Sequence, residues 1–279
     1  WSKNYGGDEM DMGKRVAYKQ GFGFFIAGNT SSIGEGGYDF YLVKTDVNGV
    51  QEWEKSYGYD GWERLHDAAL TRDTGMFMVG ETLSNPTNNA DMYIVRTNKH
   101  GDTLWTKTMG GLGADALQSV APWDDSTFYV AGQTYVEDSS YTKAFIAKFH
   151  EDGSLIWSDT VGPVGNYFIN DVSTSGMDVF CVGYRNGPGV DGNDLYYFRR
   201  SHDGVDLGET THAIAGDYKA HQATAYGVPD KRYVGWTFFS SSSQPDGDDM
   251  VVSKMNYVFY VEQTALHLYY YCLLYTSPS

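Results

Sequence analysis

Basic residues are scarce in this sequence. Lys and Arg number 20 against 36 Asp and Glu in 279 residues, which gives a formal net charge of −16 at pH 7. Affinity for the phosphate backbone of nucleic acids comes mainly from clustered Lys and Arg, and the chain has no basic run. The composition therefore argues against nucleic-acid binding. An acidic, glycine-rich and aromatic-rich chain is instead typical of a soluble extracellular or cell-surface protein.

Cysteine and long apolar segments are also nearly absent. Of the two cysteines, Cys181 lies in an apolar strand and Cys272 in the C-terminal segment, so the chain has no disulfide framework. We expect Cys181 to be a small buried hydrophobe. The apolar run from Ala265 to Tyr275 is shorter than the roughly 20 residues that a membrane-spanning helix needs. We therefore expect no membrane insertion, and no segment shows a helical stripe.

What the chain does contain is an internal repeat. Tryptophan recurs at positions 1, 53, 105 and 157, so each interval is 52 residues. One set of glycines keeps nearly the same period inside phrases such as Ala-Gly-Asn-Thr, at Gly28, Gly80, Gly132, Gly183 and Gly235. A second set precedes the Trp of each copy by four residues, at Gly49, Gly101 and Gly153. A period of this length indicates a repeat architecture.

Each period predicts four short strands, because apolar and aromatic runs alternate with Gly, Asn, Asp and Ser. In the second copy these strands are about 65–71, 76–82, 92–97 and 103–109. The sequence therefore predicts an all-β fold, a β-propeller of four-stranded antiparallel blades of which about five are present. One blade cannot bury both of its faces, so neighbours must pack face to face. We expect each repeated Trp to lie between adjacent blades.

The predicted blades cover about residues 13–57, 64–109, 116–161, 168–211 and 221–256. Residues 1–5 form an orphan fourth strand, which either completes the last blade of a closed ring or belongs to a preceding blade. We favour a fragment of a larger ring, because the repeat is interrupted at both ends. After Asn256 the repeat breaks down, and residues 257–279 resemble translated adapter sequence, which we exclude from functional reasoning.

Two motifs resemble a group of bacterial and archaeal surface repeats. One is Trp-x-Lys-x-Tyr-Gly, at residues 1–6 and 53–58, and the other is Tyr-x-Val-Lys-x-Asp-x-x-Gly, at residues 41–49. The resemblance covers residues 1 to about 256 and implies a secreted or surface-attached propeller with no activity common to the group. The turn and the Trp are also distantly similar to the tryptophan-docking motif of quinoprotein propellers. The stretch from Asp46 to Gly49 is one residue shorter than that motif, so the similarity argues for the fold and not for the cofactor.

The long loops predict the working face. In a propeller the loops from fourth to first strand and from second to third strand share one face, and here these are the long ones. Acids recur on this face at Asp11, Glu63 and Asp115, with Asp217 near the equivalent place in the fifth copy. They form either a ring that holds a hard cation such as Ca²⁺ or acceptors for backbone N–H groups in their own turns. We favour the second, because a residue that recurs with the repeat usually serves the repeat. No other cofactor is predicted.

Residues that break the repeat are the better candidates for a ligand site. Trp62 and Tyr167 place aromatic rings on or near the long-loop face, where they suit sugar or peptide recognition, although blade packing competes for them. His66 and His221 lie at the start of first strands, near the channel. Each is either a general base or a hydrogen-bonded channel residue, and we favour the latter because no third group stands at an activating spacing. We predict these four residues as ligand-binding residues.

The predicted function is a non-catalytic extracellular or cell-surface scaffold that binds a protein or glycan through the long-loop face. One alternative is a glycan-processing enzyme. Sialidase-like propellers carry Ser-x-Asp-x-Gly-x-x-Trp boxes before the last strand, whereas Asp46, Gly49 and Trp53 are each spaced one residue further apart. The second alternative is a quinone-dependent oxidoreductase, which requires a paired-Cys or an Arg and acid cluster that the sequence does not show.

Overall fold

The computed structural model describes residues 1–86, 89–137, 140–176, 178–190 and 192–212, and the backbone of four further strands between residues 218 and 265. Within these residues, twenty strands form five four-stranded antiparallel sheets. The first sheet contains β1 Asp11–Lys19, β2 Gly23–Thr30, β3 Asp39–Thr45 and β4 Gln51–Tyr57. The second contains β5 Glu63–Leu70, β6 Met76–Thr82, β7 Asp91–Thr97 and β8 Thr103–Met109. The third contains β9 Ala116–Pro122, β10 Thr127–Val136, β11 Tyr141–His150 and β12 Leu155–Val161.

The last two sheets follow the same order. The fourth contains β13 Asn166–Thr174, β14 Asp178–Asn186, β15 Asp194–Ser201 and β16 Asp206–His212. The fifth contains β17 Tyr218–Gly227, β18 Tyr233–Ser241, β19 Asp249–Met255 and β20 Val261–Ala265. Strand β20 lies in the tail that we expected to stand outside the repeat. Residues 1–5, predicted as an orphan strand, belong to none of these sheets.

The sheets follow one another around an axis. The first strand of each sheet packs across the preceding sheet: β5 on β1 to β3, β9 on β5 to β7, β13 on β9 to β11, and β17 on β13 to β15. First strands therefore lie innermost, and fourth strands such as β8 and β12, whose side chains alternate between exposed and half-buried, lie at the rim. This radial arrangement confirms the predicted β-propeller. Among the described residues, no helix is long and apolar enough to span a membrane.

The hydrophobic core is divided among the blade interfaces. One cluster joins the first and second sheets, for example through Phe40 and Leu65, and further clusters join the second to the third and the third to the fourth. Cys181 is fully buried in the last of these, and burial raises the pKa of its thiol. Each interface removes the apolar face of two sheets from water, which is the main driving force for the assembly.

A contact between an indole ring and a glycine turn links successive blades. The Trp on the fourth strand of one blade lies against the glycine that precedes the fourth strand of the next, and the pairs are Trp53 with Gly101, Trp105 with Gly153, and Trp157 with Gly204. These glycines have φ between 75 and 86°. A Cβ at Gly101 would lie 2.8 Å from the Trp53 ring, so this approach requires glycine. The expected position of the repeated Trp between blades is confirmed by these contacts.

Residues 1–5 make the same contacts as an outer strand. Trp1 lies against Gly49 as Trp53 lies against Gly101. The Tyr5 hydroxyl donates to the Gly49 carbonyl at 2.8 Å, and the Tyr57 hydroxyl donates to the Gly101 carbonyl at 2.7 Å. The segment therefore occupies, at the first blade, the place that the rim strand of a preceding blade takes elsewhere.

The glycine requirement predicts a difference between two substitutions. Gly101→Ala and Gly21→Ala both place a side chain at positive φ, at 75 and 81°, but only the first meets an indole, because a Cβ at Gly21 has open space around it. We expect Gly101→Ala to lower the free energy of unfolding by about 1–3 kcal/mol more than Gly21→Ala, through overpacking against Trp53. Urea unfolding of the two variants measures the difference, and equal losses would show that the indole contact adds nothing beyond backbone strain.

Candidate functional site

The loops of the long-loop face are tied together across blade boundaries. The loop between β2 and β3 pairs with the loop that enters the next blade, through Gly37 N to Gly61 O at 2.8 Å and Glu63 N to Tyr38 O at 2.6 Å. The same pairing recurs one blade later, where Asp115 N donates to Ala90 O at 2.7 Å. The face is therefore a continuous surface held by backbone hydrogen bonds, which suits the presentation of binding side chains.

The predicted acids each hold the loop of their own blade. Asp115 accepts from the backbone N–H of Gly111 and Tyr135, both at 2.9 Å, and from the Thr134 hydroxyl at 2.5 Å. Glu63 accepts from Tyr59 N at 2.8 Å and from the hydroxyls of Thr82 and Ser84 at 2.6 and 2.5 Å. These partners recur at the repeat spacing, so each of the two acids holds the loop that leads into the first strand of its own blade.

Asp11 has the equivalent environment in the first blade. Its carboxylate accepts from Gly7 N at 2.8 Å and from the Ser32 hydroxyl at 2.9 Å. Burial would raise the pKa of Asp11, but hydrogen bonds from Thr30, Gly7 and Ser32 lower it below its usual value. Asp217 lies outside the described residues. Within the part of the chain that the structure describes, no three His, Cys, Asp or Glu side chains come together in a way that could hold a metal ion.

Trp62 stands at the boundary of the first two blades with 45% of its surface exposed. Its ring meets Tyr38 edge to face at a centroid distance of 5.3 Å, and the Arg64 guanidinium lies 5.2 Å above it. Gly37 packs against the indole with no room for a Cβ. The ring is therefore fixed in orientation while half of it faces solvent, which favours recognition at low entropic cost.

A groove lies next to Trp62 on the same face. It has a volume of about 530 Å³ and is lined by Tyr59, Asp60, Gly61, Leu83, Ser84, Asn85 and Pro86. Tyr59 is 46% exposed. The exposed Tyr59 ring beside the Asp60 carboxylate offers stacking and hydrogen bonding to a ligand. The Ser84 hydroxyl and the Asn85 amide instead hold the groove, because they donate to Glu63 and to Asn89 O and Asp91.

The expected exposure of Tyr167 is wrong. The residue is 0% exposed, its ring packs edge to face on Tyr196 at 4.6 Å, and the Lys143 ammonium lies 5.5 Å from its centroid. Strand β13 begins at Asn166, so Tyr167 is part of the strand and not of the preceding loop. It takes the place that Glu63 and Asp115 take in their blades, which points its side chain into the blade interface. We therefore remove Tyr167 from the candidate binding surface.

His66 occupies a β-bulge of an inner strand. The pairing of β5 with β6 skips it between Leu65 and Asp67, and its imidazole faces Glu81 at 3.9 Å. His221 stands at the same bulge of β17, between Ala220 and Gln222, but its side chain lies outside the description. Bulges recur in every inner strand at this point. His66 is not among the residues that line the groove beside Trp62.

The bulges bring four side chains to the axis, and they follow the 52-residue period: Arg15, Asp67, Ser119 and Asp171. Arg15 Nε donates to Asp67, and the Ser119 hydroxyl lies 3.0 Å from Asp67 and 2.7 Å from Asp171. They border a cavity of about 300 Å³. Burial would lower the pKa of Arg15, but the hydrogen bond and charge of Asp67 and the charge of Asp171 raise it. None of these four residues was among the predicted site residues, and their common 52-residue spacing is the sequence signal that could have found them.

Both carboxylate oxygens of Asp67 accept hydrogen bonds from neighbouring groups. One accepts from Arg15 and from Ala68 N at 2.7 Å, and the other accepts from Val120 N at 3.0 Å. Both oxygens of this carboxylate are therefore engaged by protein donors. The axial cluster therefore links inner strands of successive blades across the channel.

Comparisons with known proteins give distant structural similarities. No family model and no curated protein matches the chain. An apocarotenoid oxygenase from Synechocystis shares 14% identity over 82% of this chain and 55% of its own, with a TM-score of 0.46, so the chain spans about half its length. An exo-1,5-α-L-arabinanase from a bovine ruminal metagenomic library shares 9% identity over 95% and 100%, with a TM-score of 0.41. The propeller domain of the Trilobed protease from Pyrococcus furiosus shares 10% identity over 92% and 83%, with a TM-score of 0.37. The similarities assign no activity.

The loop-holding role of the acids predicts a metal-independent effect. Replacing Asp115 with Ala leaves two backbone N–H groups and a hydroxyl without their acceptor, so we expect the free energy of unfolding to fall by about 3 kcal/mol, with or without Ca²⁺. Asp152→Ala, at an exposed turn, is the control and should cost less. Thermal unfolding with EDTA and with millimolar Ca²⁺ checks this. A Ca²⁺-dependent rise in the melting temperature of the wild type that Asp115→Ala abolishes would support the cation ring instead.

Proposed function

We propose that this protein is a non-catalytic binding module that holds a glycan on its long-loop face, with Trp62 as the main stacking surface. The exposed, fixed indole beside the groove is the observation that carries the proposal. Sugars present flat apolar faces edged by hydroxyl groups, and the site offers an exposed indole next to a groove whose lining includes Tyr59 and Asp60. An extracellular or cell-surface location fits such a ligand and is part of the same proposal.

A protein ligand is the other occupant of the same face. The groove has a volume of only about 530 Å³ and includes polar residues in its lining, which suits a chain of hydroxylated rings better than the broad apolar core of a protein interface. We therefore propose the glycan and treat a protein ligand as an outcome of the test.

The glycan-processing alternative has weaker support. Acid–base hydrolysis needs two carboxyl groups flanking the substrate, one of them free to act as a base. Asp67 and Asp171 border the axial cavity, but Asp67 is already occupied by Arg15 and by backbone N–H groups. The second alternative, a quinoprotein-like oxidoreductase, draws no specific support from the geometry.

Replacement of the indole tests the proposal. A glycan array identifies the sugar, and titration calorimetry with that sugar then measures affinity for the wild type and for Trp62→Ala. We expect Trp62→Ala to weaken binding at least about tenfold, because an aromatic anchor dominates such a site.

Phe22→Ala is the matched control, since Phe22 is an exposed aromatic residue in the β1–β2 turn at the opposite end of the blade. Its affinity should equal that of the wild type. Glycan binding that survives Trp62→Ala unchanged would reject the site, and a pull-down that recovers a protein through Trp62 without any array signal would replace the glycan with a protein ligand.

A further inference from the structure

Two carboxyl groups meet at the interface of the first and second blades. Asp39 begins β3 and is 2% exposed, and Glu63 begins β5 and is fully buried. Gly58 lies over both, so closely that a Cβ there would collide with Asp39 Oδ1 and lie 2.5 Å from Glu63 Oε2. The two oxygens therefore approach the same point from opposite blades.

The hydrogen bonds around the pair leave one oxygen unsatisfied. Glu35 N donates to Asp39 Oδ2 at 2.9 Å, and Tyr59 N donates to Glu63 Oε2 at 2.8 Å. Asp39 Oδ1 is buried and has no hydrogen-bond partner. Two ionised oxygens in this position would repel each other without a donor between them, whereas a proton on Asp39 would make it a donor to Glu63.

The surroundings supply no positive charge. The titratable groups that face the pair are Glu35 from the β2–β3 loop, Tyr93 from β7 and Tyr59 from the β4–β5 loop. Among the described residues, neither carboxyl forms a salt bridge with Lys, Arg or His. Burial raises the pKa of Asp39 to about 7; the Glu35 N–H opposes this rise and the charge of Glu63 adds to it.

The next interface repeats the arrangement and the third lacks it. Asp91 and Asp115 meet beneath Gly110, and Asp91 Oδ1 is again buried without a partner. Burial raises the pKa of Asp91, Asn85 opposes the rise, and the charge of Asp115 adds to it. At the third interface Lys143 and Tyr167 occupy the positions equivalent to the two carboxyl residues and form a cation–π contact. Of the three blade interfaces whose side chains the structure describes, two therefore carry a carboxyl pair and one does not.

We propose that Asp39 keeps a proton and donates it in a hydrogen bond to Glu63, and that losing this proton loosens the first blade interface at which Trp62 stands. Trp62 directly precedes Glu63, and Glu63 N donates to Tyr38 O, so a separation of the two carboxyls moves the Trp62–Tyr38 pair. This proposal rests on the geometry of the two carboxyl groups and does not depend on the ligand that Trp62 binds.

The direction of the pH effect follows from linkage. The folded protein binds the Asp39 proton more tightly than the unfolded chain, in which the ordinary Asp pKa is about 3.9. Stability from this group is full below that value and is lost as pH rises through the folded pKa near 7. The folding equilibrium constant therefore falls by up to a thousandfold, roughly, between pH 4 and pH 8 on account of this pair.

Substitution of Asp39 by asparagine tests whether the proton on Asp39 stabilises the interface. The Asn amide of Asp39→Asn donates to Glu63 at every pH, so we expect the variant to lose most of the fall in stability that the wild type shows between pH 5 and pH 8. Urea unfolding across this range measures it. The stability of the double variant Asp39→Asn/Asp91→Asn should depend even less on pH. Asp46→Asn, in an exposed turn, is the control and should keep the wild-type dependence.

A direct measurement covers the case in which a variant fails to fold. Carbon-13 NMR of the side-chain carboxyls in the wild type should show one Asp titrating near pH 7. The proposal is overturned if every Asp carboxyl titrates below pH 5, or if wild type and Asp39→Asn lose stability with pH in parallel.

Discussion

The contact between an indole ring and a glycine turn is the constraint from which the rest of the structure follows. A flat ring can lie on a turn only where that turn has no Cβ and adopts positive φ, as at Gly101 beneath Trp53. Repetition of this contact fixes the step from one blade to the next. It also brings the first strand of each sheet across the preceding sheet, so that apolar side chains of both blades are buried together.

The regular arrangement of the blades decides which side chains are available for function. On the long-loop face the repeated acids are occupied by their own loops, as Asp115 shows with two backbone N–H groups and a hydroxyl. Trp62 has no counterpart in the other copies, and its ring is held by Tyr38 and Gly37 while it remains half exposed. Features of the repeat thus support the surface, and the residue that departs from the repeat is the one that can select a ligand.

The same arrangement of the blades brings acidic side chains of neighbouring blades into contact. Asp39 and Glu63 come from different blades, and the packing of their strands leaves them facing each other beneath Gly58. Such a pair costs stability when both groups are ionised, and it makes the interface sensitive to protons. At the third interface Lys143 and Tyr167 remove the repulsion, so adjacent boundaries of one ring differ in their response to pH. Trp62 stands at the sensitive boundary, because it precedes Glu63 and its ring packs on Tyr38, whose carbonyl accepts from Glu63 N.

The sequence alone determined the architecture, because the spacing of Trp and Gly and the period-two runs are local patterns. The four strands predicted for the second copy agree with β5 to β8 within two residues at each end. For both Trp62 and Tyr167 the sequence left open a ligand-binding role on the long-loop face and a role in blade packing. Trp62 is half exposed, whereas a strand beginning at Asn166 turned Tyr167 from an expected loop residue into a buried one. The meeting of Asp39 with Glu63, and of Arg15 with Asp67, Ser119 and Asp171, was decided by tertiary structure. These contacts join residues of different blades, and they depend on bulges and on the angle between sheets, which no local pattern encodes.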